Sequence, residues 1–93
     1  MTTFADLIFT QRNIGQHSRG IRARHTFPNG YAVSVIQGPH TYGGERGLFE
    51  CAVVHSGKLI YDTPVCNDVD GWLNPEQVSN FMQRVADLPK RDK

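Results

Sequence analysis

The sequence predicts an α+β domain: a four-stranded antiparallel β-meander with an N-terminal and a C-terminal helix packed on one face. Three observations point there. Apolar residues fall at helical spacing near both ends of the chain, but alternate with polar ones from Ile21 onward. Two turn-forming clusters, Pro28-Asn29-Gly30 and Ser56-Gly57-Lys58, punctuate the central runs. The 93 residues also leave room for only one core, because a chain of this size buries only about 60–65% of the surface its unfolded form exposes. A single domain spanning residues 1–93 is expected.

Thr3 offers a hydroxyl cap with Asp6 three residues on, and Phe4, Leu7, Ile8, Gln11 and Ile14 follow at helical spacing before Gly15. This predicts a helix over about residues 3–13. From Ile21 the period is two: Ile21, Ala23, His25 and Phe27 on one side, Arg22, Arg24 and Thr26 on the other. That is a half-buried strand. Gly30 is placed to take a positive φ in the turn, and residues 31–36 make the second strand of a hairpin.

Residues 38–47, GPHTYGGERG, are too rich in glycine for regular structure and long for a hairpin loop. They read as a flexible connector or as a contact loop presenting His40, Tyr42 and Arg46. Residues 48–55 form the third strand and 59–62 the fourth, ended by Pro64. Trp72 is expected to pack on the core at the sheet edge. Asn74-Pro75-Glu76-Gln77 is a strong helix start, with Asn as cap and Pro at the first helical position. Val78, Phe81, Met82, Val85 and Leu88 then form one apolar stripe that Pro89 closes. The meander's second face is left in solvent.

Composition excludes several classes. Nine aromatic residues among repeated Val, Ile and Leu argue against disorder. No apolar run reaches the roughly 20 residues of a membrane span, and Met1 to Phe9 lacks a basic leader, so no membrane association is expected. Cys51, in an apolar run, reads as a small buried hydrophobe, while Cys51 and Cys66 would form a bridge only in an oxidising compartment. Cys51, Cys66, His40 and His55 show no zinc-ligand spacing. Asn67-Asp68-Val69-Asp70-Gly71 lacks the later glutamate of a calcium loop and reads as a turn leading into the helix. No nucleophile elbow or phosphate-binding glycine motif is present. No catalytic residue, metal, cofactor or small-molecule substrate is therefore assigned.

The net charge of +1 conceals a polarised chain. Between Thr10 and His25 the charged residues are Arg12, Arg19, Arg22 and Arg24, a local +4 without an acid, whereas residues 47–88 sum to −4. Arginine forks onto phosphate or carboxylate and stacks on bases, so this stretch suits an anionic partner as well as it suits a solvated strand face. The partner- or RNA-binding candidates are accordingly Arg12, Arg19, Arg22, Arg24, His40, Tyr42 and Arg46.

The segment FECAVVHSGKLIYDTPVCNDVDGWLNPEQVSNFMQRV resembles a pattern in small phage-encoded proteins, carried by Tyr61-Asp62-Thr63-Pro64 and by Asp68-Val69-Asp70-Gly71-Trp72-Leu73. It covers under half of the chain. The whole chain, including its opening MTTFADLIFTQRNIGQHSRG, resembles phage anti-CRISPR proteins directed against the type I-F (Csy) surveillance complex. That resemblance implies a non-enzymatic inhibitor in the cytoplasm of the host bacterium. It would contact Cas subunits (Cas8f, Cas5f, Cas7f) and the CRISPR guide RNA, and block target DNA hybridisation or recruitment. The guide is a polyanion held in a basic channel, so a polarised inhibitor can offer arginines to RNA and acids to Cas lysines. The alternative reading is a small standalone nucleic-acid-binding phage protein using the arginine-rich strand face.

Overall fold

A computed structural model describes residues 2–13, 19–39, 41–60, 63–65 and 69–90; the side chains of Arg12, Asn13 and Arg19 lie outside that description. A 3-10 turn at Phe4–Asp6 leads into strands β1 (Thr10–Asn13), β2 (Arg19–Thr26) and β3 (Tyr31–Gln37). A second 3-10 turn at Gly44–Arg46 precedes β4 (Phe49–His55), β5 (Lys58–Ile60), β6 (Asp70–Leu73) and helix α1 (Pro75–Ala86). The strands form one antiparallel sheet ordered β1-β2-β3-β4-β5, with β6 also paired to β4. β5 lies against Val53–His55 and β6 against Phe49 and Cys51, so the two short strands share one edge of β4.

The architecture is thus α+β, as the sequence predicts, but with two corrections. Among the described residues the sheet has six strands rather than four, and the expected N-terminal helix is a single 3-10 turn followed by β1. The capping pair itself forms, the Thr3 N–H donating to Asp6 Oδ2 at 2.8 Å, yet the turn goes no further. Phe4 and Leu7 fit both a helical stripe and a turn followed by extended chain. The side chains of the latter arrangement decide: Phe9, which lies off the helical stripe, joins Phe4 and Phe49 with ring centroids 4.9 to 5.7 Å apart, and Ile8 is left 82% exposed. A lone helix of three turns is marginal, so burying the Phe9 ring outweighs it.

The core lies between one sheet face and α1. Val33 and Val35 of β3, Cys51 and Val53 of β4, and Val78, Phe81, Met82 and Val85 of α1 are all buried in one cluster. Each such side chain contributes about 1.5–3 kcal/mol by leaving water. The helix starts where the sequence places it: Asn74 Oδ1 accepts the Gln77 N–H and Gln77 Oε1 accepts the Asn74 N–H, both at 2.8 Å. Polar ties fasten the helix as well: Arg84 Nη2 donates to Val65 O at 3.1 Å. The Phe4 N–H donates to Ser79 Oγ at 2.9 Å, and Asn29 Nδ2, from the β2–β3 turn, donates to Val85 O, Ala86 O and Leu88 O at 2.9 to 3.2 Å.

Candidate functional site

The face opposite α1 is built by the register of the ladders, because directly opposed residues share a face. One row runs Thr10, Arg22, Ile36, Glu50; the next Arg24, Ser34, Ala52; the third Thr26, Ala32, Val54, Leu59. Ala32, Ser34 and Ala52 are buried although α1 packs on the other side. Short side chains flanked by the longer Arg24, Ile36 and Val54 form the floor of a shallow trough. Arg24 is exposed on its rim and has no ion pair or side-chain hydrogen bond among the described residues.

Across the trough, the glycine-rich segment is pinned to the sheet. Thr41 Oγ1 accepts the Gly38 N–H and donates to Gly38 O, each at 3.0 Å; the Tyr42 N–H donates to Glu50 Oε1 at 3.1 Å, and the Trp72 N–H to Tyr42 O at 3.2 Å. Two glycines permit this crossing. A Cβ on Gly71 would collide with the Tyr42 side chain, and one on Gly43 would sit 2.9 Å from Trp72 Cα. Between the pairs Phe49–Leu73 and Cys51–Asp70, β6 has two residues, Gly71 and Trp72, where β4 has only Glu50. The bulge puts Trp72 at φ +61°, a left-handed backbone that costs an L-residue roughly 1–2 kcal/mol. Tyr42 and Trp72 are 60% and 56% exposed. Trp72 therefore does not pack in the core as its apolar character predicts: the bulge turns its side chain outward.

No protein-family model, curated protein or solved structure matches this chain.

The structure brings some of the sequence-derived candidates together. Arg22 and Arg24 lie two residues apart on one face of β2, as the period-two pattern implies. Tyr42 and Arg46 line a cleft of about 130 Å³ together with Pro39, Thr41, Glu45 and Trp72. In β1 and β2, Arg12 pairs with Gly20 and Arg19 with Asn13, but both arginine side chains, and all of His40, lie outside the described residues. Of the residues weighed for zinc, Cys51 is buried and His55 half-buried, while Cys66 and His40 are not described. Among the described residues no three His, Cys, Asp or Glu side chains are grouped to hold a metal, and no helix is long and apolar enough to cross a membrane. The sequence reading misses Trp72 as a surface residue. The signal for it was Gly71, since glycine in a strand marks close backbone approach, here to Tyr42.

Proposed function

We propose that this protein is a non-enzymatic phage inhibitor that docks the trough face of its sheet on a guide-loaded type I-F surveillance complex, contacting Cas subunits and guide RNA and preventing target DNA from hybridising. The observation that supports it is the make-up of that face. Arg22 and Arg24 border one side and Tyr42 with Trp72 the other, three strand spacings or about 14 Å apart, across a floor of small side chains. Arginine and large aromatic residues are the side chains in which interfaces concentrate binding energy. The strained Trp72 backbone adds to the reading, since strain of this kind collects at functional sites. The choice of target rests on the resemblance of the chain to anti-CRISPR proteins.

The test is a target-DNA hybridisation assay with purified, guide-loaded complex. Wild-type protein blocks hybridisation, and replacing Arg19, Arg22 and Arg24 together by Glu abolishes the block while circular dichroism stays native. Full inhibition by that folded variant overturns the assignment. A second reading, a standalone single-strand binder, is favoured by the same pairing of arginine with exposed aromatic rings. It requires affinity for labelled oligonucleotides without any protein partner and a steep loss of affinity with salt. A titration at two salt concentrations separates the two readings.

A further inference from the structure

At the far end of the same face lies a cavity of about 410 Å³, floored by Ala32 and Val54 and rimmed by Arg24, Thr26, Ser56 and Gly57. Its volume is within the roughly 300–1,000 Å³ of small-ligand sites. No acid lines it. We propose that this cup binds a phosphate group, as a phosphomonoester or as one phosphodiester of a nucleic-acid backbone.

The chemistry is that of an oxyanion site. Arg24 and Thr26 lie two residues apart on one face of β2, opposite Ser34 and Ala32, so their backbone positions stand about 7 Å apart along the strand. Across from them, His55 pairs with Lys58, which leaves Ser56 and Gly57 as the tip of the β4–β5 hairpin, outside the ladder. Both take a left-handed backbone, φ +53° and +79°. The Ser56 hydroxyl is held by the His55 ring, with Oγ 3.2 Å from Nδ1. A guanidinium with no side-chain partner among the described residues, two hydroxyls and a hairpin tip thus line one cup, whose Ala32 and Val54 floor offers them no polar side chain. Charge-assisted hydrogen bonds from such groups to phosphate are roughly twice as strong as neutral ones. Arg24 is shared with the inhibitor surface, but the cup stands on Thr26, Ser56 and Gly57, which that surface does not use.

The test is amide NMR of the full isolated chain, titrated with inorganic phosphate, uridine 5′-monophosphate and a hexauridylate, with chloride at matched ionic strength as reference. Saturable shifts at Thr26, Ser56 and Gly57 are expected. In the variant Thr26→Val with Ser56→Gly, which keeps side-chain shape at one site and suits the left-handed backbone at the other, affinity falls by about tenfold or more. Tighter binding of the hexauridylate assigns the cup to a polynucleotide backbone; equal or tighter binding of the monophosphate assigns it to a mononucleotide. No saturable shift, shifts matched by chloride, or affinity unchanged in the double variant overturns the proposal. Because the isolated chain is used, such a result leaves the inhibitor reading to the hybridisation assay.

Discussion

Replacing Asn29 by Ala removes a side chain that ties the β2–β3 turn to the end of α1. Its Nδ2 group has two protons, shared among Val85 O at 2.9 Å, Ala86 O at 3.2 Å and Leu88 O at 2.9 Å, and its Oδ1 accepts the Tyr31 N–H at 3.0 Å. That makes three net hydrogen bonds at about 1 kcal/mol each. Asn29 is only half-buried, so water can reach some of the orphaned groups, and the expected loss is about 2–3 kcal/mol. Asn29 does not take a positive φ, so Ala fits its backbone without strain. For a domain of this size about 4–8 °C accompanies each kcal/mol, placing the melting temperature about 10–20 °C below wild type. Asn29→Asp sharpens the test. Its carboxylate still accepts the Tyr31 N–H, but it faces the helix carbonyls with no donor and a charge of the wrong sign for a helix C-terminus, a penalty of roughly 0.3–1 kcal/mol more. Urea unfolding followed by circular dichroism, with a constant m-value, measures both. An Ala variant within about 0.5 kcal/mol of wild type, or an Asp variant as stable as wild type, refutes the reasoning.

Three further outcomes are expected. Trp72→Gly relieves the left-handed backbone while losing partial ring packing, so stability changes by no more than about 1 kcal/mol; binding to the guide-loaded complex, measured by surface plasmon resonance, falls roughly thirtyfold, as for a hot-spot residue. Phe9→Ala loses its contacts with Phe4 and Phe49 and destabilises by about 2 kcal/mol in thermal melts, whereas Ile8→Ala, at an 82% exposed position, changes stability by under about 0.5 kcal/mol; a helical N-terminus would make Ile8 count. Gly71→Ala drives a methyl group into Tyr42 and costs about 1–3 kcal/mol, with loss of the Trp72–Tyr42 backbone hydrogen bond visible in amide exchange.

Helix α1 was legible because its signals are local: cap, proline and apolar stripe all lie within the segment they specify, and each does the expected work. The β2–β3 hairpin was legible for the same reason, with Gly30 at φ +90° in the turn. So was the arginine face, because a period of two fixes which of Arg22, Ala23 and Arg24 point together. The two short strands were not. β1 begins in a run whose apolar residues satisfy two periods at once, and only the distant Phe49 ring decides between them. β6 is four residues long, carries a bulge, and exists because β4 offers it an edge. Trp72 was misplaced on the same account. Hydrophobicity assigns a tryptophan to the interior, and Gly71 marks only a close backbone approach, not a backbone that turns the ring outward. The cup on the same face was equally hidden, since it joins Thr26 at the end of β2 to Ser56 beyond the end of β4, with β3 between them.

The central claim, that the trough face meets the surveillance complex, is tested most directly at Trp72, the only tryptophan in the chain. Labelling with 5-fluorotryptophan gives a single fluorine resonance whose relaxation by a soluble paramagnet reports exposure of that ring. On addition of unlabelled, guide-loaded type I-F complex the account predicts that the resonance shifts, broadens and becomes protected from the paramagnet, with saturation at a fixed stoichiometry. A resonance that keeps its position and accessibility while the complex is bound, or the absence of any binding, contradicts it.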